Sequence, residues 1–257
     1  MDASKKAIFI KDWILNYVNS MPKKAESLVI GISGGIDSSV SSTLSAMTGL
    51  KTIVLSMPIK QKDTQHDLSL RHQEWLKKNF KNVQGHTLEL DSLFKTFENT
   101  LGKFDSMHGM ANSRARLRMT TLYQVAAANN GIVVGTGNKV EDFGVGFYTK
   151  YGDGGVDISP IADCMKTDVW KIAAHLHILQ DIQDASPSDG LWDDGRTDED
   201  QIGMSYFDLE KCMKQDEMGT IVTVKKDLQK LEIYKKIREQ NMHKMKPIPV
   251  CSMEKFR

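Results

Sequence analysis

The sequence predicts an α/β fold, a single domain with a doubly wound parallel sheet covered by helices on both faces. Three observations carry this. Short apolar runs alternate with segments of helical period through the first half of the chain, the pattern of strand–helix–strand units. A turn rich in glycine and serine joins the first apolar run directly to a helix. No break in composition marks a second domain across the 257 residues, and a chain of that length can bury a sizeable core.

Residues 3–20 read as an amphipathic helix, with Ala7, Ile10, Ile14, Tyr17 and Val18 at helical spacing. Charges at Lys5, Lys6, Lys11 and Asp12 break the apolar positions, so this is not a signal peptide. A β-rich run at 27–33 is followed by a glycine pair and a helix at 38–48. The next strand, 51–58, stops at Pro58. Residues 64–80 read as a helix, 82–90 as a strand, 91–101 and 111–129 as helices, and 131–137 as a fourth strand. After Gly135 the texture changes. Residues 144–157 carry five glycines in fourteen positions, and 184–200 are acidic and rich in turn formers. Both read as long surface loops of the functional or disordered kind, ordering with ligand. Helices resume at 165–177, 198–216 and 220–241. Trp13, Trp75 and Trp170 fit helix core faces, and Trp192 falls in the acidic loop.

Composition excludes several classes. With 34 basic and 33 acidic residues the formal net charge is +1, which does not support a strongly basic nucleic-acid binder. No apolar run approaches the ~20 residues of a membrane-spanning helix. Cys164, Cys212 and Cys251 are odd in number and far apart, which removes the case for a disulfide framework, a zinc site or a dithiol motif and points to the cytoplasm. His175 and His177 are two apart on one helix and make a poor metal pair.

The chemistry is concentrated in Gly31-Ile32-Ser33-Gly34-Gly35-Ile36-Asp37-Ser38-Ser39. Glycines let the backbone turn tightly and approach an anion, and the amides at the helix start favour negative charge. A helix cap accounts for one Ser or Asp, not for this cluster. The run suits a polyphosphate, yet it is neither G-x-x-x-x-G-K-[ST] nor G-x-G-x-x-G. Asp37 is the informative residue. A carboxylate in an anion nest is repulsive unless a cation lies between, so it implies Mg²⁺ bridging protein and phosphate.

S-G-G-x-D-S after a first strand resembles the loop of the N-type ATP pyrophosphatases. Later segments narrow the resemblance: Ala115–Met119 with Tyr123 beyond, Gly135-Thr136-Gly137-Asn138-Lys139 followed by Glu141, the run 147–157 containing TKYGDGG-x-D, Pro160–Asp163, Lys166-Thr167-Asp168, Pro187-Ser188, Asp198-Glu199-Asp200 and His243-Lys244. In this order, from residue 28 to about 249, the chain resembles the ammonia-dependent NAD synthetases.

The resemblance implies a reaction. Ammonia is joined to the nicotinate carboxylate of deamido-NAD to give NAD, AMP and pyrophosphate, through an acyl-adenylate, with ATP as cosubstrate and Mg²⁺ as cofactor. It also implies one domain over 1–257, adenine nucleotide alpha hydrolase-like, with five parallel strands and ATP at their carboxyl ends. By matching motif positions, Gly31, Ile32, Ser33, Gly34, Gly35, Ile36, Asp37, Ser38, Thr136, Lys166 and Ser188 bind ATP, and Asp37 and Glu141 hold the metal. Arg116, Lys150, Asp157, His243 and Lys244 bind deamido-NAD, with Asp157 also a candidate to take a proton from ammonium. The segment from Glu141 to Lys150 is one residue longer than the usual pattern, and Val140 replaces a small polar residue, so a local adjustment is expected there.

Only 32 residues precede Ser33 and none is Cys, so no N-terminal glutamine amidohydrolase domain is expected and the nitrogen donor is ammonia. The resemblance further implies a homodimer, with the first helix and the helix of Arg116 as candidate surfaces. A tRNA-modifying relative would need a basic RNA surface or paired cysteines. A nucleotide sensor would keep the loop but not the chemistry, and pyrophosphate release separates it.

Overall fold

The structure is a computed structural model that describes residues 2–60, 63–104, 106–187 and 197–254. Helix α1 (Ala3–Ser20) starts at Asp2, whose carboxylate accepts the amide of Lys5 at 2.8 Å. It buries Ala7, Ile10, Ile14 and Val18 of the expected stripe, but leaves Tyr17 39 % exposed. Trp13 is a correction. It is 40 % exposed and stacks on Tyr17 on the outer side, because the apolar face of α1 is wider than the strip the core covers.

Strands β1 (Ser27–Gly31), β2 (Lys51–Ser56), β3 (Val83–Thr87) and β4 (Gly131–Val133) form a parallel sheet in the order β3-β2-β1-β4. Leu28 and Ile30 face one layer, with α1, α2 (Ile36–Met47) and α6 (Lys166–His175). α3 (Asp63–Asn79) packs on the same side through Leu76 against Val54. Val29, Ile53, Leu55 and Val133 face the other, with α4 (Asp91–Thr100) and α5 (Met107–Ala128). A satellite apolar cluster joins the π-helical segment Lys139–Val145 to α8 (Asp198–Ile202), α9 (Tyr206–Glu217) and α10 (Lys225–Met245). A short helix, α7 (Gln180–Asp184), follows α6.

Among the described residues the sheet has four strands, not the expected five. The fifth position, beyond β4, is reduced to one parallel bridge between Val134 and Ile158. The amide of Val133 goes to the side chain of Asp157 at 2.7 Å, so the ladder is interrupted, and Pro160 then ends the run. The expected helix over 198–216 is two helices. Gly203 stops α8 with φ +81°, and the hydroxyl of Ser205 accepts the amide of Asp208 to start α9. Residues Lys139–Val145 form a π-helical turn, in which Gly146 N–H reaches back to the carbonyl of Glu141.

Helix α2 is serine-rich yet buried. Several of its hydroxyls turn back onto backbone carbonyls: Ser39 to Gly35 at 2.9 Å, Thr43 to Ser39 at 2.7 Å, Ser45 to Ser41 at 2.8 Å, whereas the buried Ser41 hydroxyl has no partner among the described residues. Those bonds satisfy polar groups that would otherwise be costly to bury.

Candidate active site

The strand order reverses direction between β1 and β4, and the crevice at their carboxyl ends is where such sheets bind ligands. Beyond β1 the chain closes into a compact loop. Ser33 N donates to Ser38 Oγ at 3.2 Å, Gly35 N to Ser33 Oγ at 3.1 Å, and Ser38 Oγ to the carbonyl of Gly35 at 2.9 Å. Gly34 has φ +88°, a conformation that side chains resist. The loop delivers Ile36 and Asp37 to the first turn of α2.

Beyond β4, Thr136 and Asn138 lie on the matching turn. Asn138 is fully buried, and its Oδ1 accepts the amides of Val140 and Glu141 at 3.0 and 3.1 Å. Its Nδ2 donates to Asp37 Oδ1 at 3.1 Å. One side chain thus caps the π-helical segment and ties it to the first turn of α2.

Lys166 starts α6 and is 1 % exposed. Its ammonium donates to Asp37 Oδ2 at 2.6 Å and to Glu141 Oε1 at 2.8 Å. Burial works against the ammonium, but the two carboxylates outweigh it and hold Lys166 charged. Burial raises the Asp37 carboxyl; Lys166 opposes this and Glu141 adds to it. Burial also works to raise Glu141, but Lys166 and the hydroxyl of Tyr206 outweigh it and keep that carboxyl below its usual range. Four elements distant in sequence therefore meet in one ion cluster.

A second cluster is built on 146–157. Thr149 N donates to Asp153 Oδ1 at 2.9 Å, and Thr149 Oγ1 to Asn112 Oδ1 at 2.6 Å. Arg116 Nε and NH2 each donate to the carbonyl of Lys150 at 3.3 Å. Lys150 Nζ reaches the carbonyl of His243 at 2.8 Å, and Lys244 Nζ the carbonyls of Gly146 and Tyr148 at 2.9 Å each. The end of α10 thus folds back on the glycine loop. Surrounding protein pushes Asp153 up to about 6 and lowers Lys244. Asp157 sits at the foot of this loop. Its Oδ1 accepts the Tyr123 hydroxyl at 3.0 Å and its Oδ2 the amide of Val133. A cavity of about 90 Å³, lined in part by Gly135, Gly137, Asp142, Tyr148 and Asp153, lies between this loop and the turn after β4.

The structure thus unites Asp37, Glu141 and Lys166, and separately Arg116, Lys150, His243 and Lys244. Ser188 and Trp192 lie outside the described residues. Sequence reasoning passed over two residues. Asn138 carried a signal, standing two and three positions before amides that a cap would serve. Tyr206 carried none, since it lies 40 residues beyond Lys166 and its ring reads as core.

The model of the NAD synthase family matches residues 7–248. The chain belongs to the NAD synthase family. The NH3-dependent NAD+ synthetase of Methanosarcina mazei is 32 % identical over 246 residues, covering 92 % of this chain and 95 % of that protein. That of Archaeoglobus fulgidus is 34 % identical, covering 98 % of each. Among solved structures, the NMN synthetase from Francisella tularensis superposes with a TM-score of 0.86 at 31 % identity, covering 98 % of this chain and 100 % of that one. The known reaction of the ammonia-dependent NAD synthetases is the ATP-dependent amidation of deamido-NAD to NAD. The α/β fold with helices on both faces of a parallel sheet is that of NAD synthases of known structure.

Proposed function

We propose that this chain amidates deamido-NAD with free ammonia and ATP, through an acyl-adenylate, with Mg²⁺ held by Asp37 and Glu141. The supporting observation is the meeting of Asp37, Glu141 and Lys166 beside the nucleotide loop. Two hard carboxylates fit magnesium, which takes one or two such ligands and completes its shell with phosphate oxygens and water. Among the described residues no group of three His, Cys, Asp or Glu forms a full protein cage, in keeping with a site completed by ATP. When bound, the ion neutralises phosphate charge.

The chain's own residues do the rest. Amides from Gly31 to Ser38 and the hydroxyls of Ser33 and Ser38 cradle the phosphates, with Thr136 and Ser188 as further ATP contacts. Lys166 places a fixed positive charge beside them. Arg116, Lys150, His243 and Lys244 receive the pyrophosphate and carboxylate of deamido-NAD. Attack of the nicotinate carboxylate on the α-phosphate releases pyrophosphate. Ammonia then attacks the acyl carbon and AMP leaves. Asp157, oriented by Tyr123 and Val133, takes the proton of ammonium; an Asp157→Asn enzyme with full turnover and only a raised KM would confine it to binding.

We place the enzyme in the cytoplasm, with ammonia as its nitrogen donor. All three cysteines are free, and among the described residues no helix is long and apolar enough to cross a membrane. It pairs as a homodimer; Ile8, Phe9 and Trp13 give α1 an exposed apolar face to bury. Light scattering tests this, and a fully active monomer at micromolar concentration would defeat it.

The deciding assay supplies Mg-ATP and deamido-NAD with ammonium or with glutamine and scores NAD and AMP. NAD from ammonium alone supports the reading. No ATP cleavage under any condition overturns it. The likeness to the NMN synthetase favours one second reading, in which the acceptor is the mononucleotide acid. It shares the reacting carboxylate, so the same assay run with both acceptors decides.

A further inference from the structure

Tyr206 opens α9 and is 0 % exposed. Its hydroxyl donates to Glu141 Oε1 at 2.6 Å, the oxygen that Lys166 also reaches. The same hydroxyl lies 3.2 Å from Oδ2 of Asp198. One proton therefore serves two carboxylates, with the shorter bond to Glu141. The Lys166 ammonium sits 4.8 Å from the centroid of the Tyr206 ring, and Trp170 meets the ring edge-on at 6.0 Å.

The surroundings of Asp198 give this contact a direction. Asp198 N donates to the carbonyl of Pro187 at 3.0 Å, so two points eleven residues apart in the chain meet there. Thr197 and Asp200 form a reciprocal cap on α8. Glu199 Oε1 accepts the amide of Tyr206 at 2.8 Å, which bolts α8 to the start of α9. The hydroxyl of Tyr206 thus stands between a carboxylate of the nucleotide end and a braced junction of the chain.

We infer that Tyr206 is a positioning residue for the cation: its hydroxyl, anchored beside Asp198, fixes the rotation of the Glu141 carboxylate. Two donors on Oε1 would hold the Glu141 carboxylate in one rotation, ready for an ion whose charge the phosphates share. The inference rests on the proposed role of Asp37 and Glu141 as Mg²⁺ ligands. It predicts that the hydroxyl matters only when magnesium accompanies the nucleotide.

The test is calorimetric titration of ATP into the full chain, with excess Mg²⁺ and in EDTA. Wild type binds ATP more tightly with Mg²⁺. Tyr206→Phe keeps the ring over Lys166 and loses about tenfold of that gain. Its ATP affinity in EDTA and its affinity for deamido-NAD stay within about twofold of wild type. A general structural defect would lower all three. A gain abolished by Asp37→Asn but intact in Tyr206→Phe overturns this inference alone. Wild type with no magnesium-dependent gain overturns the cation reading and this inference with it. Should Tyr206→Phe fail to fold, Asp198→Asn gives the test: a gain reduced about threefold supports the inference and an unchanged gain overturns it.

Discussion

At the end proposed for the nucleotide, Lys166, itself 1 % exposed, meets the half-buried Asp37 and Glu141 side chain to side chain. At the acceptor end Arg116, Lys150 and Lys244 give their charge to backbone carbonyls nearer the surface. The first arrangement is an ion cluster already desolvated and fixed, in which each charge depends on the others. The second spends cations on neutral acceptors, and a phosphate or carboxylate oxygen is a stronger partner for them than a carbonyl. On the proposed roles, ATP would meet a site already built, and deamido-NAD would meet a loop held by groups that can be handed over to it.

Lys166→Met should break that contrast most severely. It leaves two half-buried carboxylates facing each other without their cation, so pyrophosphate release should fall about 10³-fold and the melting temperature should drop. A loss below about tenfold would mean that the cluster is not what activates ATP.

Acid should loosen the nucleotide side through His72. This side chain is fully buried on α3, with Nε2 3.0 Å from Ser42 Oγ on α2 and its ring stacked on Trp75. Burial pushes its pKa down from 6.5 to about 4, a change the carbonyl of Ser39 opposes. The folded-state value is depressed, so the unfolded chain binds the proton more readily. The resulting stability is complete above pH 6.5 and is lost as pH falls through about 4. The difference corresponds to about 3 kcal/mol. Urea midpoints for wild type and His72→Gln across this range should diverge in slope, and parallel curves would remove His72 as the cause.

Lys244→Met should sharpen the comparison. With its two carbonyl contacts gone, KM for deamido-NAD should rise about tenfold while affinity for ATP is unchanged. An equal fall in both would mean that the two ends are one unit. Arg116→Ala should do least, because its bonds to Lys150 are long and exposed. A rise of about threefold in KM for deamido-NAD, measured under saturating ATP, is expected.

Legibility follows the same division. The nucleotide loop was readable because its glycines and serines are contiguous, and their function is carried by backbone amides whose positions local sequence dictates. Glu141 and Lys166 were nameable only through an ordered set of motifs. Nothing in either residue's neighbourhood shows that both reach Asp37. Tyr206 was invisible for the same reason in stronger form, since its hydroxyl finds Glu141 only because α9 packs on the π-helical segment. His243 and Lys244 look like solvated surface near a chain end until α10 returns to the glycine loop.

By itself the sequence determined the alternation of strands and helices, the glycine–serine turn after β1 and the order of the motifs. These depend on short-range periodicity and on what glycine and serine permit locally. Tertiary structure decided the rest. Among the described residues it set a single bridge where a fifth strand was expected, because Asp157 offers a carboxylate where a ladder needs a carbonyl. It also set one lysine between two acids from distant segments, a pairing fixed by packing across the sheet and not by any spacing along the chain.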